Sequence, residues 1–110
     1  MKLYNWCEAA DITASELAEG KLTEISAGDR KVGLLKKGES IFAFAAACPH
    51  AGIPLCTGWL DALGNIVCPQ HRYRFNPENG RNVSGEGYKL FNYPVQVLGE
   101  KILIGFLKAD

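Results

Sequence analysis

The sequence lacks any long hydrophobic segment. Its longest uninterrupted apolar run, residues 41–48 (IFAFAAAC), has eight residues, whereas crossing a bilayer takes ~20. The first residues, MKLYNWCEAAD, also lack the apolar stretch and the small-residue cleavage site of a secretory signal. We therefore expect a protein that does not cross a membrane and that stays in the cytoplasm.

The sequence also lacks an excess of charge of either sign. Its 12 Lys and Arg residues balance 12 Asp and Glu residues, so the basic footprint of a nucleic-acid-binding protein is missing. With 47% hydrophobic and 22% charged residues, the chain has the composition of an ordinary folded protein. Its length predicts one domain, residues 1–110, and we expect a monomer.

Sustained helical periodicity is scarce as well. One helical turn is expected over Ala14–Ala18, because Thr13 and Glu16 match a capping box. Elsewhere short apolar and β-branched runs alternate with turn residues, which is typical of strands. The predicted strands are residues 3–6, 21–26, 31–36, 40–46, 91–98 and 101–107. Short glycine-containing turns join the second, third and fourth of these, so the sequence predicts an all-β antiparallel sandwich or small barrel.

The segment between the two strand-rich parts, about residues 47–88, has a different composition. From Cys48 to Tyr88 it holds four of the five prolines, three of the four cysteines, both histidines and six glycines. A loop-rich insert of ~40 residues needs something besides a hydrophobic core to order it. A metal centre is the obvious candidate.

The sequence has only two histidines, and their placement is informative. Both histidines follow a cysteine at ligand spacing, in Cys48-Pro49-His50 and in Cys68-Pro69-Gln70-His71, with 17 residues between the pairs. Two thiolates and two imidazoles suit zinc or an iron–sulfur cluster. Zinc fingers run Cys, Cys, His, His with a helix supplying the histidines. The order here argues against a zinc finger and leaves a zinc site of another kind open.

The ligand order and its surroundings resemble those of Rieske [2Fe–2S] proteins, in which two cysteines hold one iron and two histidines the other. The similar segments are CPHAG (48–52), GWL (58–60), IVCP (66–69), RF (74–75), NPENG (76–80) and YPV (93–95). The resemblance covers about residues 20–107. It implies the Rieske fold with a small loop-rich cluster subdomain and one cluster per chain. The implied ligands are Cys48, His50, Cys68 and His71.

The chain departs from the high-potential members of this family. Ile53 and Gln70 stand where those relatives have two further cysteines that form a disulfide. Tyr73 and Phe75 replace a serine and a tyrosine whose hydroxyls bond cluster and cysteine sulfurs. Because hydrogen bonds to sulfur favour the reduced cluster, their loss predicts a potential toward the lower end of the family range of about −150 to +300 mV. Arg72 stands where many relatives have glycine, and the sequence leaves its role open.

The remaining residues limit the function. A Rieske oxygenase needs a second iron held by two further histidines, and both histidines are already committed. No Gly-x-Gly-x-x-Gly fingerprint for a nicotinamide nucleotide is present. Cys7 and Cys56 are expected to be free thiols in a reducing compartment. These points predict an electron-transfer protein that is not itself an enzyme.

The resemblance implies partners. The expected role is a one-electron carrier from a flavin-dependent reductase to an oxygenase or similar acceptor. One alternative is a small subunit of a larger redox enzyme such as nitrite reductase, although that subunit often lacks the cluster ligands. The other is a zinc-stabilised interaction module. In the family the ligating histidines form the docking tip. The expected apolar surround of that tip is Pro49, Ala51, Pro54, Leu55 and Pro69.

Overall fold

The computed structural model describes residues 3–108; the ends of the expected domain, residues 1–2 and 109–110, lie outside the described residues. Ten strands are present in that range: β1 (Tyr4–Glu8), β2 (Thr23–Ala27), β3 (Arg30–Lys37), β4 (Ser40–Ala45), β5 (Trp59–Leu60), β6 (Ile66–Val67), β7 (Arg74–Phe75), β8 (Asn92–Tyr93), β9 (Val95–Leu98) and β10 (Lys101–Leu107). Two short 3₁₀ turns cover Ala14–Glu16 and Leu55–Thr57. The all-β prediction is confirmed.

The strands form three antiparallel sheets. Their orders are β1-β10-β9, β2-β3-β4-β8 and β5-β6-β7. The predicted meander is the second sheet, with each strand shifted by a residue or two from its expected bounds. The expected helical turn is a shorter 3₁₀ turn, whose start is held by the Thr13 amide donating to Glu16 Oε1 at 2.9 Å.

The meander sheet is covered on both faces. On one side Val32 and Leu34 of β3 pack with Ile104 of β10 in a buried cluster. On the other side Leu35 and Phe44 pack in a second buried cluster, together with residues of the loop-rich segment. Because both faces of the middle of β3 are buried, residues 32–35 (VGLL) form a continuous apolar run rather than an alternation. This central sheet is the platform that carries the loops of the predicted metal centre.

The strand predicted over residues 91–98 is divided in the structure. Residues 92–93 pair with β4, and residues 95–98 pair with β10 in a different sheet. Pro94 separates the two parts, because it has no N–H to donate to a ladder. Its carbonyl oxygen instead accepts a hydrogen bond from the Gly105 amide at 2.9 Å. The segment thereby crosses from the central sheet to the terminal sheet.

Candidate metal centre

The first ligand pair lies in a closed loop that follows β4. The Cys48 amide donates to the Ile53 carbonyl, and the Gly52 amide donates to the Cys48 carbonyl, both at 2.8 Å. Gly52 has φ +71°, a left-handed conformation that glycine adopts without steric cost. Leu55 anchors the end of this loop, because its side chain is fully buried in the second core cluster. The loop therefore holds Cys48 inward.

The second ligand pair lies in a matching loop between β6 and β7. The Cys68 amide donates to the Tyr73 carbonyl at 2.8 Å and closes this loop. Phe75 anchors it, with no exposed side-chain surface. His71 and Arg72 at its apex have φ of 65° and 59°, so two consecutive residues with a Cβ adopt the left-handed region.

The two loops bring the four predicted residues together. The side-chain donor atoms of Cys48, His50 and Cys68 lie within 4.8 Å of one another. His71 joins this group through His50, since its Nδ1 lies 3.3 Å from His50 Nε2. The structure thus brings the four side chains that the spacing singled out into one cluster.

The donor set fits a bound metal group. His50 Nδ1 is buried and has no hydrogen-bond partner among the described residues, and a buried polar atom is normally satisfied. Burial raises the pKa of the Cys48 thiol to about 11, so a thiolate there needs a cation beside it. An iron-containing group bound by these thiolates and this imidazole nitrogen answers both needs.

Aromatic rings surround the His50 side of the site. The Tyr73 ring centroid lies 4.0 Å from that of His50, and the Tyr88 ring lies 5.8 Å from His50 in an edge-on arrangement. Tyr73 stands where high-potential relatives have a serine, and it places an aromatic ring against the His50 imidazole. Phe75 has no hydroxyl, and its ring lies wholly inside the core.

Sequence reasoning missed the third loop, residues 82–88, which carries Tyr88 to the site. Glu86 Oε1 accepts hydrogen bonds from Asn82 Nδ2 at 2.9 Å and from Ser84 Oγ, and its own amide donates to Asn82 Oδ1 at 2.7 Å. These side-chain hydrogen bonds hold the pKa of the Glu86 carboxyl below its ordinary value. Glycines on either side of Glu86 signal a turn. Nothing in the spacing shows that the turn returns to His50.

The outer surface of the site matches the expected tip with one correction. His71 is exposed and His50 is half-buried, and Pro49, Ala51, Pro54 and Pro69 are exposed around them. The prediction that Leu55 belongs to this apolar surround is wrong, because its side chain is fully buried. A leucine at the start of a 3₁₀ turn faces inward here to fill the core beneath the loop.

The other cysteines stand apart from the site. All four cysteines are free thiols, and Ile53 and Gln70 offer no loop disulfide. Burial raises the pKa of the half-buried Cys56 thiol to about 12. It is not part of the ligand group found among residues 3–108. The described residues also contain no helix long and apolar enough to span a bilayer.

The fold and the site together define an all-β protein in which two cysteines and two histidines, residue types that bind metals, meet in one cluster. The Rieske [2Fe-2S] domain family matches residues 6–103, and the chain belongs to this family. Its cofactor is one Rieske [2Fe–2S] cluster.

Two of the similar proteins are named as ferredoxins of oxygenase systems. The ferredoxin component of an alkene monooxygenase system from Xanthobacter autotrophicus is 29% identical over 99 residues, which cover 89% of this chain and 81% of that protein. The ferredoxin of carbazole 1,9a-dioxygenase from Nocardioides aromaticivorans IC177 superimposes with a TM-score of 0.81 and 27% identity, covering 91% and 96% of the two chains.

A third protein shares the fold at lower identity. It is described as the small subunit of an NADH-dependent nitrite reductase from Mycobacterium tuberculosis. Its structure superimposes with a TM-score of 0.83 at 18% identity, covering 97% of this chain and 99% of that chain. At this identity the similarity supports the fold alone.

Proposed function

We propose that this protein is a one-electron carrier that passes electrons from a flavin-dependent reductase to an oxygenase, with Cys48, His50, Cys68 and His71 as the cluster ligands. The cluster supplies a centre that takes up and releases one electron. The observation that carries the proposal is the meeting of two buried thiols with two imidazoles, one of them exposed. Electron transfer weakens steeply with distance, so a histidine at the surface is where a partner gains access.

The relatives support an oxygenase as the acceptor. The similar proteins from Xanthobacter and Nocardioides are named as ferredoxin parts of a monooxygenase and a dioxygenase system. The small apolar surround of the histidines suits brief encounters rather than a permanent interface. A monomer in the cytoplasm is part of the proposal, and the four free thiols agree with a reducing compartment.

A fixed subunit of a nitrite reductase is the second candidate, because a protein of that description has the same fold. The retention of all four ligand residues favours the diffusing carrier, because an electron-carrying role requires them. The zinc alternative is not retained, since the chain belongs to a [2Fe–2S] family.

The test begins with anaerobic purification of the full chain, iron and zinc analysis, and low-temperature EPR after reduction with dithionite. We expect two irons per chain and a Rieske signal, which His71→Ala should lose and the matched surface variant Lys101→Ala should keep. A colourless protein with one zinc per chain would refute the carrier function. Reduction by a purified NADH-dependent flavin reductase, followed by reoxidation in the presence of an oxygenase, then tests the partners. A carrier turns over many times per oxygenase, whereas a fixed subunit copurifies with its enzyme.

A further inference from the structure

The second ligand loop contains a strained residue that provides no ligand. Arg72 follows His71 and has φ 59°. A residue with a Cβ in this region costs roughly 1–2 kcal/mol, which glycine would avoid. His71 is required at its position as a predicted ligand. Arg72 has no such requirement, and backbone strain that persists at a site is a signal of function.

The side chain of Arg72 has no polar partner within the part of the protein that the structure describes. It is exposed and forms no hydrogen bond or ion pair with any residue between 3 and 108. The nearby Arg74 differs, because its guanidinium pairs with Asp61 at 3.5 Å. No hydrogen bond or ion pair of the Arg72 side chain with residues 3–108 therefore compensates for the strain of its backbone.

The charges around the histidines make Arg72 distinctive. Apart from Arg72, the exposed residues that surround the histidines in the first and second loops are proline, alanine, glycine and glutamine. Beside the first loop, Glu24 and Lys31 line a cavity with Gly52 and Pro54. Glu86 of the third loop is a nearby carboxylate, but Asn82 and Ser84 already satisfy it. Arg72 is therefore the one Lys, Arg, Asp or Glu residue within the two ligand loops, 48–54 and 68–73. A cation at such a position sets the orientation and the choice of a partner more than the affinity. Arginine suits this role because its planar guanidinium pairs with carboxylates through two hydrogen bonds.

We propose that Arg72 selects the redox partner, by pairing with carboxylates on the partner's surface next to the point where the electron leaves through the His71 side of the tip. The inference rests on the proposed electron-carrier function and adds the chemistry of the partner surface. It predicts that removing the charge of Arg72 changes the rate at which charged acceptors take the electron from the protein.

Two small acceptors of opposite charge test the proposal without knowledge of the natural partner. The dithionite-reduced full-length protein is mixed by stopped flow with ferricyanide (3−) or with tris(phenanthroline)cobalt(III) (3+), and each gains one electron as the protein loses one. At low ionic strength Arg72→Gln should slow oxidation by ferricyanide and speed oxidation by the cobalt complex, each by roughly three- to tenfold. Both effects should shrink as salt is added.

Matched variants separate this effect from general charge and from the driving force. Arg72→Lys keeps the charge and should keep both rates near those of the wild type. Lys101→Gln removes one positive charge at the other end of the molecule. Lys101 follows the β9–β10 turn. Glu100 of that turn lines a cavity with Gly38 and Glu39 of the β3–β4 turn. The β3–β4 turn precedes the start of β4, whereas the tip follows the end of β4. This variant should leave both rates unchanged.

The outcomes distinguish the inference from the function on which it rests. If Arg72→Gln changes both rates in the same direction, the substitution acts on the potential or the structure, and partner selection is wrong. If it behaves like Lys101→Gln with both acceptors, the inference is also wrong while the carrier function stands. A wild-type protein with no reducible iron–sulfur signal would instead overturn the carrier function and, with it, the inference.

Discussion

Gly33 of β3 lies directly opposite Phe44 of β4 in the central sheet. A Cβ built on Gly33 would lie 2.1 Å from Phe44 Cε2 and 2.5 Å from Cζ, whereas carbon atoms in contact are about 3.5–4.0 Å apart. The Phe44 ring is fully buried in the cluster that also contains Cys48 and Leu55. Gly33→Ala therefore forces this ring toward the core beneath the first ligand loop.

Overpacking of this kind costs about 1–3 kcal/mol of the free energy of unfolding. For a chain of this length each kcal/mol lowers Tm by roughly 4 °C. Phe44→Leu alone loses buried ring contacts and should cost about 1–3 kcal/mol. In the double variant the new methyl group occupies space that the ring has left. The cost of the double variant should therefore be smaller than the sum of the two single-variant costs by at least ~1 kcal/mol.

Urea unfolding of the apoprotein, followed by far-ultraviolet circular dichroism, measures all four corners of this cycle. The transition midpoint should move while its slope stays constant, which shows that stability and not compactness has changed. In the holoprotein we expect Gly33→Ala to release iron to a chelator faster than the wild type. Additive costs, within ~0.5 kcal/mol, would show that the ring does not occupy the space above Gly33 and would refute the reasoning.

The remaining predictions concern the loops and the chain turn opposite the site. Leu55→Ala empties a fully buried position under the first ligand loop and should cost about 2–5 kcal/mol, with faster iron loss to a chelator; Leu63→Ala, at an exposed position, is the control that should change neither. Arg72→Gly relieves a left-handed residue with a Cβ, and after the entropy cost of glycine the apoprotein should gain about 0.5–1 kcal/mol in urea unfolding; a loss of stability would show that the backbone at 72 is not strained. Hydrogen bonds from Ser15 hold the pKa of the Glu100 carboxyl below its ordinary value. Because the folded pKa is the lower one, this group stabilises the fold above its unfolded pKa of about 4.3 and loses that contribution as pH falls through the folded value. Glu100→Gln should therefore lower Tm at pH 7 and converge with the wild type in acid, and a constant difference across pH would contradict the linkage.

Local patterns in the sequence were sufficient for much of the site. Cysteine and histidine at fixed spacing on short proline-containing turns predict ligands, because a tight turn leaves their side chains few directions to point. Turn residues at regular intervals likewise predict the meander of β2, β3 and β4. The departures at Tyr73 and Phe75 could also be recognised without coordinates, because they fall at fixed offsets from His71.

Other features depend on contacts between distant parts of the chain. Leu55 looked like a surface residue of the tip because it lies among prolines, yet the core beneath the loop covers it. Pro94 divides a predicted strand because two different sheets compete for its flanks. Tyr88 reaches His50 only because the third loop folds back over the site.

The sequence by itself determined which residues are proposed as ligands, their spacing and the antiparallel β class, because these are set by neighbours within a few residues and by the period of apolar side chains. Only the tertiary structure decided which side chains cover the site, which face of each loop is buried, and that Arg72 holds a left-handed backbone with a cation that pairs with none of residues 3–108. The reason is physical: burial, ring contacts and the compensation of backbone strain depend on residues far apart in the chain, and local periodicity carries no record of which of them meet.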